Sequence, residues 1–129
     1  LSTISLIAPA IAMGNRVVLI PSQRYAGVAL ELVQTLETSD IPPGVINIVT
    51  GNKGELADQL AGHAEVDGIW CWSDDVTVAK VETTSAADLK RLWVHQEGDR
   101  DWLDPQQGEG LEFLRNATEV KNIWTPYGD

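Results

Sequence analysis

The sequence predicts an α/β fold, in which a parallel sheet has helices on both faces and is followed by a C-terminal β arm. The main observation is a strand–helix–strand run: apolar strands at residues 17–20 and 45–49 flank an amphipathic helix at residues 26–38. Two strands joined through one helix form a right-handed parallel crossover. In addition, the first strand has no polar alternation, which is typical of a strand covered on both faces. The sheet is therefore expected to be Rossmann-like.

The rest of the chain continues this alternation. A first apolar helix is predicted at residues 1–13, ended by Gly14 and Asn15, which both tolerate positive φ. Beyond the crossover the pattern predicts a helix, a strand, a helix and a strand at residues 53–63, 66–72, 75–88 and 89–95. A short helix at residues 111–116 and a β-rich strand at residues 119–124 follow.

We divide the chain into three parts. Residues 1–95 form the α/β domain, residues 96–110 an acidic linker, and residues 111–129 the C-terminal arm. The linker is rich in acids, glycine and proline, and such blocks are usually solvated. We therefore expect it to be too acidic to pack.

Composition limits the partners. With 9 Lys and Arg against 19 Asp and Glu, the formal charge of −10 repels phosphate backbones, so no nucleic acid partner is predicted. No apolar run is long enough to span a membrane, and no membrane partner is predicted. The single cysteine, Cys71, allows no intrachain disulfide and fits a reducing compartment, so we expect a cytoplasmic location. Because the chain opens on Leu1 rather than Met, we expect it to be part of a longer protein.

Few residues suggest chemistry on their own. His63 and His95 have no cysteine or carboxylate at metal-ligand spacing, so no metal site is predicted. Cys71 lies in an apolar strand between Trp70 and Trp72, and we interpret it as a buried structural thiol rather than a nucleophile.

Two segments carry a family resemblance. AMGNRVVLIPS at residues 12–22 and IPPGVINIVTG at residues 41–51 resemble the cofactor domain of the aldehyde dehydrogenase superfamily. The resemblance covers roughly residues 1–94 and, more weakly, residues 110–124. It implies a parent enzyme that is an NAD(P)-dependent aldehyde dehydrogenase, an oxidoreductase.

The family's cofactor residues are changed in this chain. The family has Lys-Pro-Ser-Glu after the first strand, where the lysine reaches the adenosine ribose and the glutamate accepts from its hydroxyls. Here Ile20 replaces the lysine and cannot donate a hydrogen bond, while Gln23 keeps an acceptor without the charge. The resemblance therefore implies that the ribose contact is lost.

The pyrophosphate position is changed as well. The family's Phe-Thr-Gly-Ser, which opens a helix that receives the pyrophosphate, becomes Cys71-Trp72-Ser73-Asp74. Close phosphate approach needs a small residue and free amides, whereas Asp74 would cap those amides and add negative charge. Like charges 4 Å apart near a surface repel by about 4 kcal/mol. We therefore expect no cofactor on this chain.

The resemblance also implies that this chain has no catalytic residues. The family's general base, a glutamate in Glu-Leu-Gly-Gly-Lys, is replaced by His95, and the domain with the nucleophilic cysteine is missing. Thr118–Lys121 matches a Thr-Glu-Val-Lys strand of the family's oligomerisation arm. The pattern is most like the C-terminal non-catalytic module of family 16 aldehyde dehydrogenases.

Assembly is therefore expected through Val120, Ile123 and Trp124, with the rest of the parent dehydrogenase or with a second copy as partner. Three functions follow. The first is docking and oligomerisation by a pseudoenzyme domain; the second is a dehydrogenase fragment with weak cofactor binding; the third is a module that senses a nucleotide smaller than NAD. Ile20 and Asp74 argue against the second, and the sequence does not separate the first from the third.

Overall fold

The structure, a computed structural model, describes residues 1–127. Helices and strands alternate through most of the chain. In chain order they are α1 (Ser2–Ala12), β1 (Val17–Leu19), a 3₁₀ turn (Gln23–Tyr25), α2 (Ala26–Glu37), β2 (Ile46–Ile48), α3 (Lys53–Ala61), β3 (Gly68–Ser73), α4 (Asp75–Ser85), β4 (Arg91–Gln96), α5 (Pro105–Gly108) and α6 (Leu111–Asn116). The predicted α/β alternation is confirmed, with element ends that differ by a few residues.

Local sequence signals account for several of these boundaries. Gly14, two residues after the end of α1, adopts φ +84°, where a side chain would be strained. The Asn52 side chain accepts a hydrogen bond from the Glu55 amide at 3.2 Å and begins α3. Asp74 begins α4 in the same way, by accepting from the Thr77 amide.

The strands are parallel, as predicted, but they form two separate pairs. β1 pairs with β2 from Val17↔Ile46 to Leu19↔Ile48, and β3 pairs with β4 from Gly68↔Arg91 to Ser73↔Gln96. Within residues 1–127 no ladder joins β1 to β3, so the expectation of one continuous sheet is wrong for this chain. The backbone groups of Val17 and Leu19 form hydrogen bonds with residues next to β2. Among residues 1–127, no strand lies beside the other edge of β1.

The core lies on the helical face of the β3–β4 pair. Ala57 and Ala61 of α3 and Val81 of α4 are buried there. Ile69, Leu92 and Val94 of the two strands pack against them. Because side chains alternate between the faces of a strand, the intervening residues, Trp70, Trp72, Trp93 and His95, point to the opposite face.

The opposite face is covered by residues 97–116, which we call the strap. Phe113 of the strap is 1% exposed, and its ring centre lies 5.2 Å from that of Trp93. Trp102 packs on Trp72 at 5.2 Å. Most acidic side chains of this segment are exposed, as expected. The expectation that residues 96–110 do not pack is wrong, because Trp102 turns inward while most of the acids remain in water.

The predicted strand at residues 119–124 is absent, and the structure places no helix or strand after α6 within residues 1–127. Val120 and Ile123 are each 86% exposed and Trp124 is 93% exposed. A lone strand with no neighbour to pair with is not stable in water, which explains the difference. Residues 128 and 129 of the predicted arm lie outside the described part of the chain.

Candidate functional site

The candidate site is a cleft where the carboxyl ends of all four strands meet. Ligands of α/β proteins bind at this end of the sheet. The cleft encloses about 400 Å³. It is lined by residues at or just beyond the carboxyl end of each strand: Ser22, Gln23, Arg24, Asn52, Lys53, Gly54, Ser73, Asp74, Thr77 and Glu97.

Three of the four residues predicted at cofactor positions line this cleft. Gln23 lies in the 3₁₀ turn after β1, Ser73 ends β3, and Asp74 precedes α4. Ile20 is half-buried directly after β1 and does not line the cleft.

The amino end of α4 is satisfied by the chain itself. Asp74 accepts a hydrogen bond from the Thr77 amide at 3.0 Å, from the Thr77 hydroxyl at 2.8 Å and from the Ser73 hydroxyl at 3.2 Å. Ser73 and Thr77 are buried, with 2% and 8% exposure. These hydrogen bonds, that of the Thr77 amide first, lower the pKa of Asp74 to about 2. The carboxylate is therefore a permanent negative charge at the helix end near neutral pH.

The cleft is also lined by two cationic side chains, Lys53 and Arg24, which were not predicted from the sequence. Lys53, the first residue of α3, donates a hydrogen bond from Nζ to the backbone carbonyl of Trp72. The guanidinium of Arg24 lies 5.5 Å from the ring centre of Tyr25. Lys53 meets a strand 19 residues further along the chain, and no local pattern signals that contact. Together with Asp74 and Glu97, the two cations give the cleft a balanced formal charge.

Cys71 is 7% exposed, which confirms the prediction of a buried thiol. Burial raises its pKa; the nearby Lys53 ammonium opposes that rise and the Asp74 carboxylate adds to it. A raised pKa lowers the thiolate fraction and with it the reactivity of the thiol.

The two histidines lie in separate environments. The Nδ1 atom of His95 is 4.0 Å from Asp99 Oδ2, and its ring stacks on Trp72 at 5.3 Å. His63 accepts a hydrogen bond from the Glu65 amide at 3.2 Å. Among the residues that the structure describes, no three His, Cys, Asp or Glu side chains come together to hold a metal ion.

The base of the C-terminal segment is fixed to the domain. Asn15 Nδ2 donates to the carbonyl of Ala117 at 2.8 Å, and Arg91 Nη1 donates to the carbonyl of Thr118 at 2.8 Å. Beyond this point the predicted assembly residues Val120, Ile123 and Trp124 are exposed. Within residues 1–127, no helix is both long enough and apolar enough to cross a membrane.

Known sequences similar to this chain belong to one family of enzymes. The model of the aldehyde dehydrogenase family matches residues 1–103. A 2-aminomuconic semialdehyde dehydrogenase of Bos taurus is 37% identical over 86 residues, which are 67% of this chain and 18% of the relative. A chloroplastic betaine aldehyde dehydrogenase of Amaranthus hypochondriacus is 37% identical over 119 residues, 92% of this chain and 24% of the relative.

Solved structures similar to this chain are aldehyde dehydrogenases as well. An aldehyde dehydrogenase C variant from Pseudomonas syringae, complexed with NAD+ and octanal, matches 74% of this chain and 20% of its own chain with a TM-score of 0.69 and 33% identity. This chain thus spans roughly a fifth of the length of such relatives. The family match covers most of the sequence, and the chain belongs to the aldehyde dehydrogenase family.

Proposed function

We propose that this chain is a non-catalytic module of an aldehyde dehydrogenase family protein and that it serves in docking and oligomerisation. The observation that carries the non-catalytic part of this proposal is the capping of α4 by Asp74, whose carboxylate accepts a hydrogen bond from the Thr77 amide at 3.0 Å. A cofactor phosphate at this helix end would have to displace the carboxylate and then lie beside its charge. We infer that the chain does not bind NAD at physiological concentration.

The candidate catalytic groups support the same proposal. Cys71 is buried and its pKa is raised, so it is a poor nucleophile. His95 stacks on Trp72 and lies on the face that the strap covers. Neither residue is among those that line the cleft. The parent's aldehyde oxidation would therefore depend on a catalytic domain elsewhere in that protein.

The C-terminal segment supports a role in assembly. Its base is fixed by Asn15 and Arg91. Beyond this base, Val120, Ile123 and Trp124 lie outside any helix or strand and expose their apolar side chains to water. An extended segment with unpaired backbone groups is a template for pairing with another strand. We infer that Val120–Trp124 pairs with the parent dehydrogenase or with a second copy of the chain.

The short passage from β4 to α6 supports a finer assignment. Residues 97–110 join β4 to α6 directly, whereas the family resemblance implies that a catalytic domain follows this strand in a full-length dehydrogenase. We infer that the chain resembles the C-terminal module of family 16 aldehyde dehydrogenases. We also propose that it works in the cytoplasm, because a single cysteine fits a reducing compartment.

The experiment that tests the assembly role is light scattering on the Ile123→Pro variant. Proline removes a ladder donor and should weaken association while the α/β part stays folded. Thr125→Pro is the matched control, because it places the same residue just outside the predicted strand. The proposal is wrong if the wild type and both variants are the same monomer.

The alternative is a dehydrogenase fragment that retains weak cofactor binding. Lys53 and Arg24 favour it, since both cations line the cleft at the end where a nucleotide would lie. Their charges are balanced by Asp74 and Glu97, which leaves no net attraction for a pyrophosphate. The non-catalytic proposal therefore stands first.

A further inference from the structure

The strap face of the β3–β4 pair carries a cage of aromatic rings with a guanidinium at its centre. The Cζ atom of Arg100 lies 5.7 Å from the ring centre of Trp72, 5.2 Å from that of Trp93, 5.8 Å from that of Trp102 and 5.1 Å from that of Phe113. All four rings are within the 6 Å or so at which a cation is attracted to an aromatic face. Only 11% of the Arg100 side chain is exposed.

The polar contacts of the cage suit a guanidinium in particular. Arg100 Nη2 donates to Glu112 Oε2 at 2.9 Å, and Nη1 donates to the carbonyl of Gln107 at 2.6 Å. A planar fork can make both bonds and still lie against rings, whereas a lysine ammonium is a strongly hydrated point charge. The surroundings of Arg100 are therefore complementary to an arginine side chain.

The walls of the cage do not depend on Arg100. Trp72 and Trp93, from β3 and β4, contact each other at 4.9 Å between ring centres. Trp102 packs on Trp72 at 5.2 Å, and Phe113 packs on Trp93 at 5.2 Å. None of these ring contacts includes the guanidinium, so we expect the cage to remain when the guanidinium is removed.

We propose that this cage is a recognition site for arginine, which the chain fills with its own Arg100 and which an arginine from a basic segment of a partner protein can fill instead. The charge of the surroundings favours such a partner: Asp99, Asp101 and Glu109 are exposed on the same strap, and the formal charge of the chain is −10. A negative surface attracts a basic segment and speeds its encounter. Arg100 then acts as an autoinhibitory contact, because it occupies the cage until an arginine of the partner displaces it.

The test uses the Arg100→Ala variant of the whole chain, with ethylguanidinium and ethylammonium as probes at millimolar concentration. Ethylguanidinium should raise the melting temperature of the variant and change its tryptophan fluorescence, and ethylammonium should do so far less. A blocked Gly-Gly-Arg-Gly-Gly peptide should bind the variant about tenfold more tightly than its lysine counterpart. The wild type should bind the arginine peptide more weakly than the variant, because Arg100 competes as a tethered ligand.

Arg115→Ala is the matched control, because it removes the same charge from an exposed position on α6. It should create no new response to either probe. If Arg100→Ala does not fold, Arg100→Gln takes its place in the titrations, because it keeps a polar but shorter and uncharged side chain that leaves the guanidinium position empty. The proposal of an arginine recognition site is wrong if a folded Arg100 variant responds equally to ethylguanidinium and ethylammonium, or if it responds to neither. If Arg100→Ala binds the arginine peptide but the wild type does not, even at saturating peptide concentration, then a partner's arginine cannot displace Arg100 and that part of the proposal is wrong.

Discussion

Replacing Phe113 by alanine would test whether the strap is part of the folded core. The Phe113 side chain is 1% exposed. Its ring centre lies 5.2 Å from Trp93 and 6.4 Å from both Trp70 and Trp102. Alanine would remove one wall of the cage around Arg100 and leave a cavity against the β3–β4 pair.

The expected loss is large. Buried phenylalanine-to-alanine changes lower the free energy of unfolding by about 3–5 kcal/mol, which includes the lost burial and the cavity left behind. Urea unfolding followed by tryptophan fluorescence measures this loss, because three of the five tryptophans have ring centres within 6.4 Å of that of Phe113. A fourth, Trp72, packs on two of those three. Leu111→Ala is the control, since Leu111 is in the same helix but 66% exposed. It should change the free energy of unfolding by about 0.5 kcal/mol or less.

The reasoning would be refuted if Phe113→Ala and Leu111→Ala had the same urea midpoint. That result would mean that the strap is a solvated linker, as its composition suggests, and that the aromatic cage does not persist in solution. Phe113→Leu provides an intermediate point, because it keeps most of the apolar volume and should cost less than alanine.

Two further predictions concern the same parts of the chain. Gly108→Ala should loosen the strap, because the added Cβ atom would lie 2.8 Å from the carbonyl oxygen of Trp102. We expect faster amide hydrogen exchange in residues 97–116, and unchanged exchange would contradict the packing of the strap. Gly27→Ala is the control, because an added Cβ atom at Gly27 would have no neighbour within 4 Å. The lowered pKa of Asp74 means that its contribution to stability is complete above the ordinary value of 3.8 and is lost as the pH falls toward 2. The difference in urea midpoint between the wild type and Asp74→Asn should therefore be greatest above pH 4 and shrink below it; a difference that does not change with pH would contradict the capping.

Local pattern predicted the elements of this fold well. The apolar runs placed the four strands, and the acids and amides before α3 and α4 act as their caps. Such features depend on residues within a few positions of each other, which a sequence displays directly. The buried state of Cys71 followed in the same way, from its apolar neighbours in β3.

Long-range contacts were not predictable in this way. The linker at residues 96–110 was expected to be solvated because five acids dominate it, yet Arg100 reaches four rings that come from two strands and the strap itself. Lys53 likewise meets the carbonyl of Trp72 only because α3 and β3 are packed side by side. The strands also form two separate pairs, and their sequences carry no sign of that separation.

The central claim is that Asp74 closes the cofactor position, and calorimetric titration with NAD tests it most directly. The wild type should show no binding below millimolar concentration. The double variant Ser73→Gly with Asp74→Ser, which restores a small residue and frees the helix end, should bind more tightly. Asp75→Ser removes the same charge one residue later without removing the cap, and it should behave as the wild type does. A micromolar dissociation constant for the wild-type chain would contradict the account.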